Sequence, residues 1–154
     1  MKLSTKGRYA VMAMVDLAMF GRGRPVPLSD VAERQEISVP YLEQLFAKLR
    51  RHGLVKSVRG PGGGYTLGHM PEEMRISDIV RAVDETLKQT RCSTGSATGC
   101  SGSRGRCVTH DLWEELGNQI HLFLSSVTLA DVVARRVLGT SGVLHREAHF
   151  PYLA

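Results

Sequence analysis

Cysteine is scarce in this chain, long apolar runs are missing, and no constellation of catalytic side chains is present. Three cysteines in 154 residues do not make a disulfide miniprotein, and the odd count argues against a framework of paired bridges. The longest apolar stretch, Tyr9 to Val15, is too short to span a bilayer, so no membrane partner is expected. The opening residues Met1 to Lys6 lack the apolar core and small-residue cleavage site of a secretory leader. The expected compartment is therefore the cytoplasm, where clustered thiols stay reduced and serve metal or redox chemistry. Paired carboxylates, a nucleophile beside a base and a cofactor fingerprint are all lacking, which argues against an enzyme. The glycine run at 60–64 is not a phosphate-binding P-loop. No Gly-Lys-Ser/Thr follows it, and Tyr65 opens a strand where a P-loop would open a helix.

The chain does have an uneven charge. Residues 1–68 carry eleven Lys and Arg against five Asp and Glu, whereas residues 69–154 carry nine against ten. Lys48, Arg50, Arg51, Lys56 and Arg59 crowd into twelve positions, the electrostatic footprint of a polyanion-binding face.

Periodicity places the elements. Thr5 to Phe20 is apolar nearly all round and predicts a helix buried on most sides, stopped by Gly21. Ser29 or Asp30 can cap a short helix ending near Gln35. After a break at Glu36 to Val39, Pro40 can open the next helix, because a first-turn N–H has no helical partner to lose. Leu42, Leu45, Phe46 and Leu49 form its buried stripe, which leaves Tyr41, Glu43, Gln44, Ala47, Lys48 and Arg51 outward. Two short helices with a tight break make a helix-turn-helix pattern. The alternating segment Leu54 to Arg59, the glycine turn and Tyr65 to Leu67 then make a β-hairpin wing.

Downstream, Ser77 can cap a helix running to about Leu87. A longer helix from about Thr109 to Ser126 carries Leu112, Leu116, Ile120, Phe123 and Val127 on one stripe, widened by Trp113 and Leu124. That is more apolar surface than one small domain needs, and it predicts a dimerisation element. Thr128-Leu129-Ala130-Asp131 has capping-box spacing, and residues from 139 on show no period. The expected fold class is mainly α: a winged helix-turn-helix DNA-binding domain over residues 1–70, and a cysteine-bearing, metal- or cluster-binding loop with dimerisation helices over 71–137. A loose tail over 138–154 completes it.

Between these helices lie Cys92, Cys100, Cys107 and His110, spaced Cys-x7-Cys-x6-Cys-x2-His in a loop of Gly, Ser, Thr and Arg. Thiolate and imidazole donors suit an iron-sulfur cluster or zinc, and exposed thiols beside Arg91, Arg104 and Arg106 would equally suit a redox switch. The spacing matches no common zinc-finger knuckle. A small iron-sulfur carrier, or a thiol or zinc redox protein without DNA function, is the competing reading. It leaves the glycine-rich wing without a purpose.

The segments Tyr41 to Phe46, Val58 to Tyr65, Ala82 to Glu85 and Lys2 to Val11, taken with the Cys loop, resemble the IscR regulators of bacteria. The resemblance covers roughly residues 1–133. It implies a homodimeric winged helix-turn-helix transcription factor on double-stranded promoter DNA, with one [2Fe-2S] cluster per subunit supplied by the cluster-assembly machinery. It further implies repression of cluster-assembly genes by the cluster-bound form, and regulation of a second promoter class by the cluster-free form. By resemblance, Cys92, Cys100, Cys107 and His110 fall at the cluster ligands, and Glu43, Gln44 and Arg59 at the base contacts. Tyr41, Lys48, Arg51 and Gly60 complete the expected DNA-binding set. Pro40 departs from the pattern, standing where a small hydroxyl residue is expected, and the Cys loop is slightly longer.

Overall fold

The computed structural model describes residues 4–84 and 105–137, so Cys92, Cys100 and the expected tail lie outside the described residues. Within them the chain forms α1 (Thr5–Phe20), α2 (Leu28–Gln35), α3 (Val39–Arg51), β1 (Val55–Val58), β2 (Gly64–Leu67), α4 (Ile76–Ala82), α5 (His110–Ser126) and α6 (Leu129–Val133). The architecture is the mainly α winged helix that periodicity predicts.

Helix α1 has its predicted bounds, but it buries one broad face instead of most of its circumference. Ala10, Ala13, Met14 and Leu17 lie in the core, whereas Met19 and Phe20 are exposed. Phe20 is still used, because the Arg34 guanidinium lies 4.4 Å from its ring centroid. Gly21 then turns the chain where a side chain would collide, since a Cβ there would stand 2.5 Å from the Leu17 carbonyl oxygen.

The cap of α2 differs from expectation. Pro27, not Ser29 or Asp30, holds the N-cap position with φ −64° and ψ 145°, an extended geometry that the pyrrolidine ring favours. The Ser29 hydroxyl donates to Asp30 instead, at 3.2 Å. Helix α2 ends on Glu36 in the left-handed region, φ 54°, and α3 opens at Val39, one residue ahead of Pro40. Leu42, Leu45, Phe46 and Leu49 are buried as the stripe predicts.

The orientation of α1 against α2 is fixed by a charge. Asp16 is buried in α1 and accepts from Arg34 Nε at 3.0 Å, Arg34 Nη2 at 2.7 Å and Gln35 Nε2 at 2.9 Å. Both of its oxygens are filled, which is the condition under which a buried carboxylate is tolerated.

The hairpin pairs β1 with β2 antiparallel, Val55 opposite Leu67 and Val58 opposite Gly64. Strand β1 is shorter than the alternating segment because Leu54 turns into the core and Arg59 belongs to the turn. Val26 adds a single bridge to Tyr65, with both N–H···O bonds at 2.9 Å. That approach requires the glycine beside it: Gly64 has φ 151°, and a Cβ there would stand 2.3 Å from the Val26 oxygen. Tyr65 also packs edge-on against Phe46, ring centroids 4.8 Å apart, joining the wing base to α3.

Helix α4 starts one residue before Ser77 and ends at Ala82, short of the expected Leu87. Val83 leaves helical geometry and Asp84 takes φ 59°, a left-handed conformation that stops the helix. Helix α6 has the predicted capping box, with the Thr128 hydroxyl and the Asp131 carboxylate each capping the other's backbone N–H. An isolated bridge between Arg75 and Thr128 ties the start of α4 to α6, and α6 packs on α1. One core cluster therefore runs from Ala10 to Leu129.

Helix α5 packs on α4, but Leu112 and Phe123 of its predicted stripe are exposed, with Trp113 on the flank.

Candidate nucleic-acid interface and metal donors

The fold leaves basic residues of α3 and of the wing at the surface. Phe46, Leu49, Leu42 and Leu45 face the core, so helical geometry turns Gln44, Ala47, Lys48 and Arg51, spaced i, i+3, i+4, i+7, to the other side. Glu43, Gln44 and Arg51 are exposed there. Arg59 and Gly60 stand at the exposed wing turn, where Gly60 (φ 97°) and Gly62 (φ 72°) adopt backbone geometries that side chains resist. A helix of this width fits a major groove, and a glycine-tipped hairpin can reach the adjacent backbone or minor groove.

Two expected DNA-facing residues have partners within the chain. Tyr41 is half-buried, and its ring meets Tyr9 of α1 edge-on at 6.0 Å, so it is fixed to the scaffold. Lys48 lies at the rim of the outward arc, and its Nζ donates to Asp84 Oδ2 at 2.7 Å. The hydrogen bond and then the charge of Lys48 hold the Asp84 carboxyl below its ordinary range.

Of the four expected metal donors, Cys107 and His110 are described. Cys107 is half-buried, with Sγ 3.6 Å from Thr109 Oγ1. One turn on, His110 opens α5 with its side chain almost wholly buried, and its N–H donates to the Cys107 carbonyl at 3.0 Å. The backbone bond places the thiol and the imidazole at the same helix start. Glu114 lies on the next turn of α5, its Oε2 3.7 Å from His110 Nε2. The donor atoms of His110, Asp111 and Glu114 lie within 4.8 Å of one another. Arg106, expected to serve the thiols, has Nη1 3.9 Å from both Asp111 and Glu114. Sequence reasoning missed Glu114, although the i, i+4 spacing from His110 was a usable signal.

A family model described as an iron-dependent transcriptional regulator, Rrf2, matches residues 3–135. The chain belongs to the Rrf2 family. Among Rrf2 relatives it is similar to the HTH-type transcriptional regulator IscR of Cronobacter sakazakii, 48% identical over 152 residues, covering 98% of this chain and 92% of that one. IscR of Serratia proteamaculans is 52% identical over 133 residues, covering 86% and 79%. Among solved Rrf2-like structures, T. potens IscR matches with a TM-score of 0.70 at 41% identity, covering 88% of each chain. CymR, described as the global cysteine regulator of B. subtilis, matches with a TM-score of 0.73 at 32% identity, covering 88% of this chain and 98% of that one. The Rrf2 assignment makes the protein a transcriptional regulator with a DNA-binding role and not an enzyme, in keeping with the winged helix above. Among the described residues no helix is long and apolar enough to cross a membrane.

Proposed function

We propose that this protein is an iron-sulfur-sensing regulator of iron-sulfur cluster biogenesis genes. It binds promoter DNA in the cytoplasm as a homodimer, and a [2Fe-2S] cluster on each subunit modulates the choice of site. The observation that carries this reading is a buried imidazole three residues from a thiol at the start of α5, in a family of iron-dependent regulators.

The donor set fits such a group. Thiolates from Cys92, Cys100 and Cys107 are soft ligands, and the His110 imidazole is a borderline one that raises a cluster's potential relative to four thiolates. When bound, the cluster supplies one-electron chemistry and sensitivity to iron supply and oxidants. His110 and Glu114 share one face of α5, so the carboxylate can orient the ring. The cluster-assembly machinery is the proposed donor.

On DNA, Gln44 can pair bidentately with adenine, and Glu43 can accept from cytosine N4 while repelling phosphate. Arg59 reaches from the wing into a narrow minor groove, and Tyr41, Lys48, Arg51 and Gly60 approach the backbone. Residues 1–70 thus read DNA, while residues 71–137 hold the metal and pair two subunits through the exposed stripe of α5. Because α5 both starts at the metal donors and carries the pairing face, cluster loss can change how two α3 helices are presented. Only a difference in binding energy between promoter classes can act as the switch.

One anaerobic preparation tests the reading. Its visible spectrum and iron-to-sulfide ratio identify the group, and titration with promoter duplexes before and after cluster removal measures the switch. Glu43→Ala should relax discrimination between the two promoter classes more than it weakens binding, since the carboxylate penalises sites that offer it no donor. Unchanged discrimination would remove Glu43 from this role.

A further inference from the structure

Among the described residues, Lys48 on the outward arc of α3 is paired with an acid. Its ammonium lies 2.7 Å from Asp84 Oδ2, with the lysine side chain 30% and the aspartate 69% exposed. The two residues are thirty-six positions apart, so this contact is made by tertiary folding of α4 against α3. Asp84 is also held in place: it follows α4 with φ 59°, and its N–H donates to the Arg81 carbonyl at 3.0 Å. A carboxylate fixed there offers Lys48 the same chemistry as a phosphate oxygen, an anionic acceptor at hydrogen-bond distance.

We propose that Asp84 is an internal competitor of the DNA backbone for Lys48, so that duplex binding requires exchange of the Asp84 carboxylate for a phosphate. This deepens the proposed DNA reading, on which it rests. Two consequences follow from the chemistry. Lys48 gives a weaker net contribution to affinity than an unpaired lysine on the same arc, because binding must first break an ion pair. And the exchange places the affinity of α3 under the control of the residue that closes α4, eight positions before Cys92.

Asp84→Asn is the informative substitution. Asn tolerates the left-handed geometry at least as well as Asp and keeps the shape, so the helix end is retained and only the charge is removed. Promoter-duplex affinity is measured across a salt series for the wild type, Asp84→Asn, Lys48→Gln and the double variant. Asp84→Asn should bind about three- to fivefold tighter, with a steeper salt dependence by up to about one counterion. In the Lys48→Gln background the same change should have an effect of less than about 1.5-fold. Equal tightening in both backgrounds would show Asp84 to be a diffuse charge and overturn the competition, as would no tightening at all. A wild-type protein with no salt-dependent duplex binding would instead overturn the proposed DNA reading itself.

Discussion

Helices α3 and α5 carry comparable apolar stripes and treat them in opposite ways. In α3, Leu42, Leu45, Phe46 and Leu49 all enter the core, and the polar remainder faces outward. In α5, Leu112 and Phe123 face outward, and His110 is the buried residue of the helix. The difference teaches that the same periodicity serves two purposes. A stripe with enough neighbouring elements to cover it builds the monomer, and one left partly uncovered among the described residues is the apolar surface on which the proposed pairing rests.

The contrast is broken most forcefully at Phe46. Phe46→Ala should cost about 4 kcal/mol of folding free energy, read by denaturant unfolding, because it empties the junction between α3 and Tyr65 of the wing. Leu112→Glu with Trp113→Glu should leave the subunit folded but convert a dimer to a monomer in sedimentation equilibrium. Duplex affinity should fall on the order of a hundredfold, about 3 kcal/mol, as two half-sites are no longer held together. A double variant that stays dimeric would refute the assignment of α5 as the pairing face.

A smaller effect sharpens the picture of how α3 is presented. Asp16→Ala should destabilise the chain by about 2 kcal/mol, less than a fully buried pair because Arg34 retains access to water. The smallest test concerns α6. Thr128→Ala should cost about 1 kcal/mol near neutral pH by removing the cap. Hydrogen bonds from the Thr128 hydroxyl, then from its backbone N–H, lower the Asp131 carboxyl below its ordinary value of 3.8. A carboxyl depressed in the folded state contributes stability above its unfolded value and loses it as pH falls through the folded one. The difference between Thr128→Ala and wild type in thermal unfolding should therefore shrink as the pH is taken below 3.8.

Much of this was legible because it is local. The stripe of α3, the glycine turn and the Thr128 capping box are decided by residues within a few positions of each other, and all three are present. The misreadings come from distance or from backbone choice. The clasp of Asp16 by Arg34 joins residues eighteen apart, and the Lys48 to Asp84 pair joins residues thirty-six apart; no spacing rule signals either. Helix α2 ends at Gln35 as expected, whereas α4 stops at Ala82, ahead of the expected Leu87, because Asp84 takes left-handed geometry where periodicity continues. At the metal donors, residue type was readable from chemistry alone, whereas the turn of Arg106 toward Asp111 and Glu114 depended on the start of α5.

The wing base has a consequence for how such a protein can diversify. A Cβ at Gly60 or Gly62 would meet nothing within 4 Å, although the backbone there is strained for other residues, whereas at Gly64 it would strike the Val26 carbonyl. Space alone therefore leaves Gly60 and Gly62 open to the few side chains that tolerate positive φ, whereas Gly63, whose Cβ would stand 2.5 Å from the Val58 carbonyl oxygen, and Gly64 are closed. If all the wing positions were randomised and the survivors sequenced, residues 63 and 64 would return glycine alone, while residues 60 and 62 would return glycine with some asparagine and aspartate. The root works as a fixed hinge pin around which new binding preferences can be tried without the fold being lost.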